Sequence, residues 1–235
     1  MRFGGRFLRV MVMMVCGAAL AGCVAGTSLS PEVAGRYAAG TDGGFAMAAV
    51  PPGYLTERNR RVMVAYTGPE PVGTIVIDPY ARYLYLVTGP QRAYRYGVAV
   101  GIEGRNFAGS AAIRRKAEWP SWTPTANMLR TNPKEYRPYA KGLPGGPPNP
   151  LGARALYLYQ GGRDTYYRIH GTQELSAVGK ATIAGCIRLF NQDAIDLYNR
   201  VPMGAQVKVR SRAESIALEG PMVDDANGYA VPAKG

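Results

Sequence analysis

The sequence predicts a mostly-β domain, on two observations. Short runs of β-branched and aromatic residues recur between Val62 and Val209. One stretch, Asn191 to Val201, reads instead as a helix. The segment with this pattern is about 150 residues long, enough to bury a core.

Residues 1–22 come first. Arg2, Arg6 and Arg9 form a basic start with no acidic neighbour, and an apolar run follows from Val10 to Ala19. A run of about ten residues is half of what a helix needs to cross a bilayer, but suits the core of a signal peptide. It ends in Leu20-Ala-Gly-Cys23. This resembles the lipobox of bacterial lipoproteins, whose cysteine becomes the lipid-bearing first residue, so Cys23 is the expected lipidation site and membrane anchor. Val24 after it, rather than Asp, resembles the outer-membrane sorting pattern. The resemblance implies a lipid-anchored protein on the periplasmic side of the envelope, at the outer membrane.

Loss of residues 1–22 leaves 213 residues and takes the formal charge from +12 to +9 by removing three arginines. A chain this basic suits nucleic acid, anionic lipid or an acidic polymer, or simply has a solvated basic surface. Export excludes nucleic acid as a partner. Lipid headgroups and the anionic cell wall are left.

Residues 23–60 are rich in Ala, Gly, Pro and Ser without periodicity, and read as a poorly ordered tether. From 61 to 211 the pattern is that of a folded domain. Val62–Tyr66, Thr74–Asp78 and Arg82–Thr88 read as strands, with Pro79-Tyr-Ala-Arg82 as the turn between the last two. Further strands are expected at Ala93–Val100, Ala111–Trp119, Ala155–Tyr159, Tyr166–His170 and Gln206–Val209. Between Pro120 and Pro150 lies a proline-rich loop with Trp122, Tyr136 and Tyr139. A loop of this length within a compact domain is usually functional or disordered, and its aromatic residues favour a packed, functional loop. In the helix, Asn191 is expected to cap, Asp193 to sit in the first turn, and Ala194, Ile195 and Tyr198 to face the core. Residues 212–235 read as a flexible tail.

The chemistry narrows to two side chains. His170 is the one histidine. Of three cysteines, Cys16 and Cys23 fall in the export segment, which leaves Cys186. One thiol excludes an internal disulfide in the domain, and so few soft ligands exclude a zinc site, which needs about four. A thiol with an imidazole is what a cysteine nucleophile needs, since the imidazole takes the thiol proton and can return it to a leaving amine. Gly185 removes a side chain beside the nucleophile, and backbone N–H groups near Cys186 are the natural oxyanion donors. Arg188 shares a strand face with Cys186 if that stretch is extended.

His170-Gly-Thr172, then Gly185-Cys-Ile-Arg188 and an Asn191-led helix, resembles the L,D-transpeptidase catalytic domain, also called the YkuD domain, over roughly Val62 to Arg210. The resemblance implies a compact β-sandwich-like domain with one or two short helices, and no metal or organic cofactor. It implies that Cys186 is the nucleophile and His170 the general base and acid. Peptidoglycan stem peptides are the implied substrate: the thiolate attacks the carbonyl between a diamino acid and terminal D-alanine, and an amine takes the acyl group. Arg188, Gly185 and Gly171 are expected to contact substrate, with the Gly171 carbonyl orienting His170. Trp122 and Tyr136, with Trp119, are expected either as a lid over the stem peptide or as staples of the loop. Tyr157, Tyr159, Tyr166 and Tyr167 read as ordinary strand residues.

The sequence departs from the family pattern at Ile183, where Ser or Thr is usual, and at Ala184, often His. Ile183 removes a hydroxyl that would bond substrate or order the loop. Two rivals follow. Water, or a lysine of an envelope protein, resolves the acyl-enzyme, giving a carboxypeptidase or a protein-attachment enzyme. Alternatively, the chain is a cell-wall-binding lipoprotein with a degenerate site.

Overall fold

The structure is a computed structural model describing Met1 and residues 29–101, 109–182 and 186–233. The lipobox with Cys23, and Ile183, Ala184 and Gly185, lie outside the described residues.

Helix α1 spans Pro31–Arg36, and a hairpin follows in β1 (Gly40–Asp42) and β2 (Phe45–Met47). Strands β3 (Val62–Ala65), β4 (Ile75–Asp78), β5 (Tyr83–Gly89), β6 (Arg92–Gly97), β7 (Ala99–Gly101) and β8 (Gly109–Glu118) come next. Two short helices, α2 (Ala126–Thr131) and α3 (Pro133–Tyr136), interrupt the proline-rich loop before β9 (Arg154–Gln160). Then come β10 (Arg163–Thr172), β11 (Ala181–Thr182), β12 (Ile187–Phe190), α4 (Asn191–Arg200) and β13 (Gln206–Val209). Helix α5 (Arg212–Glu219) and the β14 (Met222–Asp224) and β15 (Ala230–Pro232) hairpin end the described chain.

Eleven strands form one sheet in the order β11-β7-β12-β10-β9-β8-β13-β4-β5-β6-β3. As expected, the fold is mostly β. Strands β6 and β7 are separated by Val98 alone, yet stand near opposite ends of that order. The sheet must therefore curl on itself. One core results, drawing Ile77 from β4, Leu84 from β5, Ile169 from β10, Leu189 from β12 and Leu197 from α4. Strand β4 is buried along its whole length, which its unbroken Ile-Val-Ile run anticipates for a strand covered on both faces.

Two segments differ from expectation. Residues 29–60 are not a loose tether. Tyr37, Val50 and Leu55 pack on Val178 and Phe190. The Tyr37 hydroxyl donates to both carboxylate oxygens of buried Asp193 at 3.0 Å and accepts from the Arg61 N–H at 2.6 Å. Asp42 takes Arg154 in a fork, at 2.6 and 2.9 Å, and the Trp119 indole N–H at 2.7 Å. The Arg154 guanidinium, with the indole's help, holds the Asp42 carboxyl below its usual range. The segment lacks periodicity because its apolar residues, irregularly spaced, converge on one cluster completed by distant chain.

The tail, too, is folded. Ser211 and Glu214 form a capping box on α5. Glu219 accepts from Tyr85 and Arg210, both at 2.8 Å, Ser215 donates to buried Asp78 at 2.8 Å, and Ala230 is buried. In α4, Phe190 rather than Asn191 is the cap residue, with no side-chain cap, and Leu197 rather than Ile195 is fully buried. Asn191 instead spends its Oδ1 on the Ala153 N–H, 2.9 Å away.

A Tyr37→Phe change tests the packed segment. It strips a buried carboxylate of a donor, so we expect unfolding free energy in urea to drop by about 1–3 kcal/mol. A loose tether would give no change.

Candidate active site

A parallel strand pair brings the segments carrying His170 and Cys186 side by side. Strand β10 pairs with β12 so that His170 lies opposite Arg188 and Ile169 opposite Ile187. Parallel neighbours need a crossover of a dozen or more residues, which accounts for the spacing of the two motifs. Cys186 sits one residue before β12, and its carbonyl accepts from the Gly101 N–H of β7 at 3.1 Å. Side chains alternate across a strand, so Cys186 and Arg188 belong to one face, the face of His170.

His170 is buried. Its Nδ1 lies 2.7 Å from the Gly171 carbonyl oxygen. A carbonyl only accepts, so Nδ1 carries the hydrogen and Nε2 keeps a lone pair. Burial pulls the imidazole pKa down to about 4. The Gly171 carbonyl and the Leu151 backbone oppose that shift, while the charges of Arg188 and Arg168 add to it. The ring is neutral at pH 7 and its tautomer is fixed.

Gly171 is placed for reasons of space. A Cβ there would collide with Asn191 Oδ1 and lie 3.1 Å from the Ala153 nitrogen. The carbonyl that holds His170 is thus clamped between α4 and the chain entering β9. Asn149, fully buried, fixes the approach to that chain. Its amide donates to the Pro120 and Pro144 carbonyls at 2.9 and 3.0 Å, and its Oδ1 accepts from the Leu151 N–H at 2.9 Å.

The Cys186 thiol donates to the Tyr166 carbonyl at 3.6 Å. Tyr166 is not an ordinary strand residue. The register of β10 against β9 shifts between Asp164 and Arg168, and Tyr166 within that bulge has φ 62° and is exposed. Asp164 holds the bulge, accepting from the Tyr166 N–H at 2.8 Å and from the Arg168 fork at 2.7 and 2.8 Å.

Arg188 Nη1 donates to Glu174 Oε2 at 2.6 Å. Trp119 is a staple: it is buried, bonded to Asp42, and tilted on Phe45 with ring centroids 4.8 Å apart. Trp122 packs against Tyr136 and Tyr139 at 6.2 Å each within the proline-rich loop. Sequence reading missed Asn149, Asn191, Glu174 and Tyr166 as site neighbours. An Asn set among prolines was the one available signal; the others depend on the strand pairing.

A family model for the L,D-transpeptidase catalytic domain, YkuD, matches residues 73–209. "Probable L,D-transpeptidase ErfK/SrfK" of Salmonella typhimurium is 34% identical over 149 residues, covering 63% of this chain and 47% of that protein. The Escherichia coli K12 protein of the same name is 36% identical over 139 residues, 58% of this chain and 43% of its own. The chain thus spans about half the length of these relatives. A crystal structure described as a probable carnitine operon oxidoreductase from Brucella melitensis is 47% identical over 66% of this chain and 96% of its own, with a TM-score of 0.47.

The imidazole state is directly measurable. In an NMR titration of the one histidine we expect the Nδ1–H tautomer at pH 7 and a pKa of about 4. The folded value lies below the unfolded one near 6.5. Stability from neutral His170 is therefore complete above about pH 6.5 and lost as pH falls toward 4. An ordinary value near 6.5 in the folded protein would show a solvated ring.

Proposed function

Because this chain belongs to the family of L,D-transpeptidase catalytic domains, we propose that it is a cysteine acyltransferase of peptidoglycan. One observation carries the mechanism: a neutral imidazole, its Nδ1 committed to Gly171, on the strand beside the thiol. With the hydrogen on Nδ1, His170 Nε2 keeps the lone pair that takes the thiol proton. The thiol rests on the Tyr166 carbonyl. Substrate arrival turns it toward His170 Nε2, which takes the proton as sulfur attacks the carbonyl between diamino acid and D-alanine.

The C–N bond then breaks. The imidazolium returns its proton to the departing amine, and an acidic imidazolium is a strong donor for that step. D-alanine leaves and the acyl group stays on sulfur as a thioester. An amine acceptor attacks, loses its proton to His170, and expels the thiolate, which is reprotonated. Arg188 holds a substrate carboxylate, Gly185 leaves room at sulfur, and Trp122 with Tyr136 covers the peptide. No metal or organic cofactor enters this scheme.

We also propose that Cys23 is lipidated and anchors the protein to the outer membrane on its periplasmic side, within reach of peptidoglycan. An envelope protein is an alternative acyl acceptor.

Cys186→Ser should cut carbapenem acylation and D-alanine release on the order of 10³-fold or more with the fold intact, since a hydroxyl is a poor nucleophile beside one imidazole. Near wild-type rates would remove Cys186 from the nucleophile role. Mass spectrometry of cell-wall fragments after expression separates cross-linked from trimmed and protein-bearing products.

Cys23→Ala should shift the protein out of the membrane fraction or leave it unprocessed. An anchor works by burying acyl methylenes, each contributing about 0.8 kcal/mol. Processed protein that still sediments with membranes would place the anchor elsewhere.

A further inference from the structure

The family model matches residues 73–209, and two arms of chain outside it reach the crossover that delivers Cys186. They meet it at three consecutive residues. Asn59 Nδ2 donates to the Val178 carbonyl at 3.3 Å. The Gly179 carbonyl accepts from the Ala230 N–H at 3.4 Å. Lys180 forms a β-bridge with Tyr229 and sets its ammonium 4.4 Å from the centre of that ring.

Asn59 is 2% exposed, and its Nδ2 also donates to the Tyr54 carbonyl at 3.3 Å. Two glycines leave room for it. A Cβ on Gly179 would collide with Asn59 Oδ1, and one on Gly97 would lie 2.5 Å from the Asn59 Cα. Asn59 is thus wedged between the crossover and the junction of β6 with β7. Both arms border one cavity of about 360 Å³ together with Gly179. Space rather than packing lies between them there, so each holds the crossover by its own contacts.

Strand β7 links that clamp to the thiol. On one edge it takes the crossover: Gly179 N–H donates to the Val98 carbonyl at 3.1 Å just before the strand, and Val100 N–H to the Lys180 carbonyl at 3.0 Å. On the other edge Gly101 N–H donates to the Cys186 carbonyl at 3.1 Å, and Val100 lies opposite Ile187. We propose that Asn59 and Tyr229 are positioning residues for the nucleophile: they fix the crossover against β7, and β7 fixes Cys186. The inference rests on the cysteine acyltransferase reading above. His170 is oriented separately, through the Gly171 carbonyl. Loosening either arm therefore displaces the sulfur against a base that stays in place, and reaction rates fall steeply with such displacement.

The test uses the full chain in detergent as wild type, Asn59→Ala, Tyr229→Ala, Tyr229→Phe and Glu219→Gln. The last is a stability control, since Glu219 accepts from Tyr85 and Arg210. Acylation of Cys186 by a penem at rising concentration gives a saturating rate and a half-saturation concentration. Thermal midpoints and the NMR titration of His170 accompany them. Asn59→Ala and Tyr229→Ala should each lower the saturating rate about tenfold and leave half-saturation within about twofold. Tyr229→Phe keeps the ring over Lys180 and should acylate as wild type does. Glu219→Gln should lower the midpoint without slowing acylation, and His170 should titrate alike in all five proteins. If Asn59→Ala does not fold, Tyr229→Ala decides. Wild-type rates in the alanine variants, or a rate loss in Glu219→Gln that matches theirs at equal midpoint, overturn the inference alone. A wild-type protein that takes up no penem overturns the acyltransferase reading and this inference with it.

Discussion

The parallel register between β10 and β12 decides which side chains meet at the site. Two parallel strands side by side cannot be joined by a tight turn, so the chain leaves β10 at Thr172 and returns at Ile187 through a crossover. That crossover is not idle chain. It carries Glu174 at its start, lays β11 against β7, and delivers Cys186 at its end. Pairing His170 with Arg188 then fixes the order of base, cation and thiol on one face. A one-residue slip would turn the thiol and guanidinium to the opposite face of the sheet.

Around that register the structure restrains the ring of His170. Asn191 reaches from α4 to Ala153, Gly171 has no room for a side chain, and the Gly171 carbonyl fixes the ring of His170. Burial makes the imidazole a weak base at rest and, once protonated, a strong acid. The Cys186 thiol donates to the carbonyl of a bulged, exposed residue at 3.6 Å. A ring held in one tautomer suits a proposed reaction in which the proton passes to it and on to a leaving group.

The outer segments bind the ends of this frame. Residues 29–60 reach α4 through Tyr37 and Asp193, and the two ends flanking the proline-rich loop through Asp42, Arg154 and Trp119. Residues 212–233 close over β4 and β5 through Asp78, Arg210 and Glu219. Asp78 and Asp193 among them are fully buried carboxylates, where losing one donor costs about 1–3 kcal/mol. Surface pairs such as Lys208–Glu214 contribute less than about 1 kcal/mol.

The mostly-β class, many of the strands and the candidate pair His170 and Cys186 were legible in the sequence, because each has a local or compositional signature; the expected strand Ala93–Val100 is instead two, β6 and β7. Ile75-Val-Ile77 reads as a buried strand without neighbours, and a single histidine near a single domain cysteine is visible by count. What only the tertiary structure decided was everything set by distant partners. Tyr37 lies 156 residues from Asp193, and Asp42 lies 112 from Arg154. No periodicity announces such pairs, so the segment looked like a tether. Asn191 resembled a helix cap until the chain entering β9 claimed its side chain, and Glu174 gained meaning when Arg188 came beside it. Sequence records which groups can make strong bonds. Folding decides which of them meet, because burial and strand register select one partner among many.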